Sequence, residues 1–368
     1  MRLPLTLSLY ICRQFLSAVL YSVLALTLVA MLIDTVELIR RASGKEGVPL
    51  SAILHMALLK SPGMAERLLP FAVLVGSLLA LSRMTRTQEL VVARAAGVSV
   101  WKFLLPAVVS VMLLGVVNAM VFNPMASLML LRFEKIEGRY LMGKPSLLAV
   151  SPSGLWLRQM EPEGHKSAEH IIHAVRMSQG DMSFSGLVVF SFDRQGHFLE
   201  RLDAETAALL PGRLEMTRVI RSVPGQPPQP LPRYVLPTTL KLEHIQDSFA
   251  SPETISFWKL PSFIEVLENA GFSALRHRIY WQSMLSSPFV YAGMVLIAAV
   301  FALRLPRLGK VGMFLVAGMA AGFLLYFFTD IVHALGMAGT LPVFLAAWTP
   351  AAIILMLGGG TLLHLEDG

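Results

Sequence analysis

FLSAVLYSVLALTLVAMLI, residues Phe15–Ile33, carries no charge, and charges fence it on both sides: Arg13 before it, Asp34, Glu37, Arg40 and Arg41 after it. A hydrocarbon core about 30 Å thick needs about 20 apolar helical residues, so this run reads as a membrane-spanning helix. No small-residue cleavage site follows it, which makes it a retained span rather than a signal peptide. Five further runs repeat the pattern. They are Leu68–Leu81, extended backwards through the Met64 region, Phe103–Phe122, ending at an Asn123–Pro124 break, then Met284–Leu303, Val311–Phe328 and Leu341–Leu363.

Composition agrees with six spans. The 368 residues are 55% hydrophobic and 15% charged, against about 25% charged in ordinary soluble domains. Mean hydropathy is +0.62. The net charge of +7 therefore points to lipid headgroups and loop bias rather than to nucleic acid. Arg2 and Arg13 precede span one, Arg83, Arg86, Arg94 and Lys102 join spans two and three, and Arg304, Arg307 and Lys310 join spans four and five. Six spans put all of these on one side, which the positive-inside rule makes cytoplasmic, together with both termini. Arg40, Arg41, Lys45 and Lys60 break the rule on the outer side. Within the spans, charges are expected only at the edges, which argues against an independent secondary transporter.

Between spans three and four the texture changes. Leu155–Leu157, His170–Met177 and Gly186–Phe192 are short alternating runs, and Phe190–Leu199 reads as strand, turn, strand. Gly, Pro and Asp punctuate this region, as in an all-β sandwich or jelly roll outside the membrane. The inward set is expected to include Leu155, Leu157, Val188, Phe190 and Phe192, although alternation leaves the face open by one residue. Gly225–Pro232 reads as a Pro-rich connector before an extended run, Tyr234–Leu242. Pro261–Ala270 reads as a helix ended by Gly271. The single Cys12 excludes an internal disulfide.

Three catalytic suggestions are weak. Gly138, Gly143 and Lys144 have phosphate-loop spacing, but Pro145 stands where magnesium needs a hydroxyl. His165, His170 and His173 lack a completing ligand, and strand geometry turns His170 and His173 to opposite faces. Asp330 and His333 read as an interfacial pair sooner than a proton relay. No nucleophile triad or dinucleotide fingerprint appears, so an enzyme is not expected.

Residues 87–97 carry the functional signal. Thr87 is a candidate N-cap and Gly97 the residue past the C-cap. Leu90, Val91 and Ala95 can form a small ridge flanked by Glu89 and Arg94. A short helix held rigidly between two spans can seat in a groove on a soluble partner; the competing reading is a connector lying on lipid. The Glu89-Leu90-Val91-Val92 to Gly97 pattern resembles the coupling helix of the lipopolysaccharide-export permeases, the YjgP/YjgQ (LptF/LptG) family. The order of three spans, a large β-domain and three more spans is similar too. Residues Ile255–Gly271, running into Arg276-His277-Arg278, resemble the LptG member more than LptF.

The resemblance implies a fold and a machine. The fold is six transmembrane helices with a periplasmic all-β, jelly-roll-like domain inserted between spans three and four. Its divisions are residues 1–135, 136–250 and 251–368. The machine is an ABC exporter of a Gram-negative inner membrane. An LptF-like permease pairs with this chain, two LptB-like ATPase subunits bind the ATP, and an LptC-like protein adds one span and a jelly roll. The chain itself then needs no cofactor. Glu89, Leu90, Val91, Arg94 and Gly97 are implied to couple to the ATPase. Arg40 and Arg41, with Arg132 and Lys135 beyond span three, are implied to face lipid A phosphates; ordinary snorkelling to headgroups is the alternative. Asp34 departs from the family's basic set. The rival readings are the LptF-type partner permease and a membrane scaffold or receptor with a periplasmic β-domain.

Overall fold

The computed structural model describes residues 5–45, 48–142, 148–151, 154–160, 169–178, 183–193, 195–238, 250–303 and 311–366. Two compact units emerge. A helical unit takes residues 1–137, 252–258 and 275–368; a second unit takes residues 138–251 and 259–274. The connector expected to belong wholly with the last three spans is thus divided, with residues 259–274 grouping with the sheet.

Among the described residues, six helical stretches are long and apolar enough to cross a membrane. They are α1 (Leu5–Ala42), α2 (Leu50–Arg86), a composite of α4 (Val100–Val117) and α5 (Asn123–Glu137), then α7 (Leu275–Ala302), α8 (Val311–Met337) and α9 (Val343–Glu366). The short α3 (Glu89–Ala95) lies between α2 and α4. The expected spans are present, but α1 and α2 overrun them at both ends. Apolarity marks the thickness of hydrocarbon a helix crosses; the hydrogen-bond ladder continues into the polar layers beyond.

The Asn123–Pro124 break does not end span three. The helix passes through a π turn at Asn118–Phe122, and the Asn123 N–H donates to the Asn118 carbonyl five residues back. Proline lacks an N–H and crowds the carbonyl four residues before it, here Met120. The wider π turn carries the chain past that obstacle as α5.

Helices in lipid associate through close backbone approach at small residues, because tails are as apolar as leucine. A Cβ on Gly76 of α2 would lie 2.6 Å from the Val19 Cα of α1, and one on Gly293 of α7 would lie 2.5 Å from Ile354 Cγ2 of α9. Phe15, Val73, Leu74, Leu81, Phe103 and Val295 fill the core around these contacts.

The second unit holds a seven-stranded antiparallel sheet in consecutive order. Its strands are β1 (Leu148–Ser151), β2 (Gly154–Met160), β3 (Glu169–Ser178), β4 (Ser183–Phe192), β5 (Phe198–Leu210), β6 (Arg213–Ser222) and β7 (Gln229–Pro237). Each strand pairs with its sequence neighbour. One face is buried: Leu155, Leu157, Ile172, Phe184, Leu187, Val189, Leu202, Leu214 and Met216 lie on it. Burying such a side chain is worth about 1.5–3 kcal/mol. The sheet also bends back on itself, because buried Gln159 of β2 donates to the Pro237 carbonyl at the end of β7 (3.1 Å) and accepts from Thr238 (2.6 Å).

The face of β4 corrects the sequence reading. Leu155 and Leu157 are inward as expected, but Val188, Phe190 and Phe192 point outward while Leu187, Val189 and Ser191 point in. Gly186, at φ 64°, and Val175 drop out of the pairing between β3 and β4 and reset the alternation. The expected Pro-rich connector lies partly inside β7, whose Pro230, Leu231 and Arg233 pair with β6. Proline is tolerated there because β7 is an edge strand. The hairpin between β4 and β5 forms as expected: Asp193 Oδ1 accepts from the backbone N–H groups of Gln195 and His197, both at 2.8 Å. Those two bonds, with the His197 ring, hold the Asp193 carboxyl below its usual range. The helix read at Pro261–Ala270 is α6 (Leu260–Asn269), followed by Gly271 at φ 86°.

His170 and His173 do face opposite ways: His170 is buried against Ser191 Oγ (3.0 Å), and His173 stacks on Trp156. No metal-binding cluster occurs among the described residues, and His165 lies outside them. Gly138–Met142 is a π turn, and the rest of the phosphate-loop look-alike, Gly143 to Pro145, lies outside the described residues.

Candidate functional site

The α3 ridge is built by its ends. At its C-terminus the Gly97 N–H donates to the Arg94 carbonyl (2.9 Å) and the Val98 N–H to the Ala93 carbonyl (3.0 Å). With Gly97 at φ 82°, this is the paired bonding by which a left-handed residue closes a helix. Ser99 then caps α4 by accepting from the Lys102 N–H. At the other end the reading needs correction. Thr87 closes α2, its backbone N–H donating to the Arg83 carbonyl (2.9 Å) and its hydroxyl to Glu89 Oε1 (2.8 Å). Gln88, at φ 64°, is the residue preceding α3. Two consecutive helices therefore meet at one sharp corner.

Leu90 also differs from expectation. It is 5% exposed and belongs to the same buried core as Met84, Val100 and Phe103. Val91 and Val92 stand outward instead, at 48% and 67% exposure, with Ala95 and Arg94 also exposed. Leu90 anchors the ridge from beneath, while Val92, overlooked in the sequence, joins its outer face. A seven-residue helix offers two registers of apolar residues, and only the corner at Gln88 decides which one turns in.

The four basic residues read from sequence lie at two helix ends. Arg40 and Arg41 close α1, and both grip Glu37: Arg40 Nε and Nη2 at 2.7 Å, Arg41 Nε at 2.9 Å. Arg41 reaches Glu137 of α5 at 3.4 Å, which brings the end of α1 beside the helix carrying exposed Arg132 and Lys135. Asp34, the departure from the family's basic set, pairs with Lys60 of α2 at 2.5 Å. Lys60 also sits 5.3 Å over the Phe133 ring of α5. Lys60 is carried on a helix, not on a loop, because α2 starts at Leu50.

A cavity of about 820 Å³ opens within the helical unit. Asp34, Lys60, Glu66, Arg67, Tyr280, Asp330 and His333 are among its lining residues; Arg40, Arg41, Arg132 and Lys135 are not. Asp330 and His333 thus line a cavity wall, with His333 Nε2 at 3.1 Å from Ser283 Oγ. Glu66 and Arg67, which the sequence reading did not single out, also line this cavity from α2, where they immediately precede the apolar run that begins at Leu68. Their signal was present in the sequence: an acid and a base interrupt the apolar run just before Leu68.

Residues 9–364 match the family described as "Lipopolysaccharide export system permease LptF/LptG". The chain is 24% identical over 356 residues to the lipopolysaccharide export system permease protein LptG of Escherichia coli K12, covering 93% of this chain and 94% of that one. It is 22% identical over 357 residues to the protein of the same name from Haemophilus influenzae, with 96% of each chain covered.

Proposed function

Because the chain belongs to the LptF/LptG family of lipopolysaccharide export permeases, we propose that it is the LptG-type permease subunit of an ABC exporter. In this role it draws lipopolysaccharide from the outer leaflet of the inner membrane toward the periplasm. The chain hydrolyses nothing and binds no cofactor; a separate LptB-like ATPase, present in two copies, binds and spends the ATP. An LptF-like permease completes the pair, and an LptC-like single-span protein joins it. Termini and α3 face the cytoplasm, and the sheet unit faces the periplasm.

One observation carries the reading. An exposed ridge of Val91, Val92 and Ala95 is clamped at both ends by the helices it joins. A connector merely resting on lipid has no need of a left-handed corner at each end. Seated in a groove of the ATPase, the ridge transmits motion because Leu90 ties it to the core. Glu89, Arg94 and Gly97 then fix its charge and angle. At the other end of the unit, Arg40, Arg41, Arg132 and Lys135 receive lipid A phosphates. Guanidinium forks suit phosphate oxygens, and the interaction strengthens where water is scarce.

Co-expression with the ATPase tests this directly. The wild-type chain should copurify with it and stimulate ATP hydrolysis in the presence of lipopolysaccharide. Glu89→Arg should lose the complex or its coupling. An ATPase that ignores the chain altogether sinks the assignment, as does cysteine labelling that places position 94 outside.

A further inference from the structure

Asn123 is a fully buried polar side chain of the helical unit, 0% exposed. Its Nδ2 lies 3.0 and 3.3 Å from the two carboxylate oxygens of Glu66, and 3.4 Å from the Tyr280 hydroxyl. Its Oδ1 accepts the Phe257 backbone N–H at 2.9 Å. Chemistry fixes the amide orientation. A backbone N–H can only donate, so Oδ1 must face Phe257 and the NH₂ must face the carboxylate. Asparagine is used here as a two-ended connector, which neither alanine nor aspartate can replace.

A second bond lies beside the first. Pro124 has no N–H to offer the Met120 carbonyl, and the indole Nε1–H of Trp258 donates to that carbonyl at 3.0 Å. Phe257 packs edge-on to Trp258 and stacks on Trp281 of α7. Arg67 stands 3.9 Å from Glu253. The short segment 252–258 is thus bound to α2, to the π turn and to α7. After residue 258 the chain passes from the helical unit to residues 259–274 of the sheet unit.

The geometry points to a clasp: Asn123, with Glu66 and the π-turn carbonyl of Met120, holds segment 252–258 so that movement of α2 and α5 is delivered to the chain leading into α6. π turns inside α-helices often mark functional positions, and here the turn and the residue that follows it present the Met120 carbonyl and the Asn123 amide to the neighbouring residues Trp258 and Phe257. Asn123 is a positioning residue: it touches no substrate, and its removal disconnects two motions rather than emptying a binding site.

The clasp as a mechanical link rests on the transporter reading, but its bonds can be tested apart from it. Hydrogen exchange is measured on the full chain, copurified with its ATPase in nanodiscs. The Phe257 amide should be protected in the wild type and should exchange about tenfold faster in Asn123→Ala, as expected for losing one net hydrogen bond in a buried site. Asn123→Asp should open the segment as well, because it sets a second carboxylate against Glu66. Adding Glu66→Gln to Asn123→Asp should restore protection, since the glutamine amide donates to the aspartate while the aspartate still accepts from Phe257. Trp258→Phe removes only the indole donor and serves where the Asn123 variants fold poorly.

The second readout is lipopolysaccharide release from proteoliposomes per ATP hydrolysed. It should fall about tenfold in Asn123→Ala with hydrolysis kept within about twofold, and recover in the double variant. Unchanged exchange in both Asn123→Ala and Trp258→Phe overturns the clasp, and so does opened exchange with undiminished release per ATP. A wild-type complex with no ATP-driven release overturns the transporter reading instead, leaving the exchange result to decide the bonds.

Discussion

The helical unit and the sheet unit use the same apolar residues in opposite places. In the sheet unit, Leu187, Val189, Leu202 and Met216 are at most 1% exposed, and charged residues such as Arg201, Asp203, Arg213 and Glu215 occupy the other face. In the helical unit, Leu20, Tyr21, Leu24, Leu28 and Leu32 of α1 stand 50–74% exposed, while Ser77, Asn118, Asn123 and Ser286 are buried. The two surroundings are different solvents. Water pushes leucine inward, but hydrocarbon is indifferent to it and rejects unpaired polar groups instead. Burial alone therefore says little about stability until the solvent is named.

Charge placement breaks this comparison most sharply. Val189→Asp puts an unpaired carboxylate inside the sheet unit and should cost about 4 kcal/mol or more. Limited proteolysis should then cut within residues 138–251 while the helices stay intact. Leu24→Asp puts the same group on an exposed position of α1, where water would tolerate it but lipid should charge about 3 kcal/mol; membrane integration of the first span measures it. Were Leu24→Asp as harmless as Ile220→Asp on the outer sheet face, α1 would not face lipid.

Packing gives the next largest effect. Gly76→Leu must displace the Val19 backbone and should cost about 2 kcal/mol of α1–α2 association, read as a lower melting temperature in detergent. A surface substitution such as Leu79→Ala on the same helix should change almost nothing. Glu37→Gln sharpens the account of Arg40 and Arg41. Exposed ion pairs contribute little, so releasing Arg40, and leaving Arg41 with Glu137 as its remaining carboxylate partner, should leave stability unchanged while lipopolysaccharide crosslinking at these positions rises, most at Arg40. Arg40→Glu with Arg41→Glu should lower it. Crosslinking that ignores all three changes reduces the pair to headgroup contacts.

The smallest effect belongs to the β4–β5 hairpin. Asp193 titrates below its unfolded value, so its contribution is complete at neutral pH and is lost as pH falls below about 4, through the folded value. Asp193→Asn should flatten that acid limb of exchange protection at Gln195 and His197, leaving protection in β5 and β6 in place.

Much of this was legible because long apolar runs have one strong reading. Phe15–Ile33 and its five counterparts fixed the number of spans, and the abrupt change after Phe122 marked an inserted domain. Where the sequence misled, a single local event outweighed the pattern. Pro124 looked like a stop, but a π turn spread the misfit over one more residue. Gly186 shifted β4 by one position, enough to turn Phe190 outward onto Arg201. Leu90 and Val92 are equally apolar, and the backbone at Gln88 chose between them. The polar contacts of the cavity were least legible: Asp34 with Lys60, and Glu66 with Asn123, join residues 26 and 57 positions apart, and no periodicity connects them.

Helix α2 has a further consequence as a lever. Its 37 residues extend about 56 Å, well beyond the hydrocarbon thickness of about 30 Å. One continuous helix begins at Leu50, carries Lys60 and the carboxylate that holds Asn123, and ends at the corner that sets the α3 ridge. Pro62 and Pro70 mark where it can flex. A tilt of roughly five degrees about one end swings the other by about 5 Å, given that length. No relay of side chains is needed to carry such a displacement across the bilayer, because the two surfaces share a single axle.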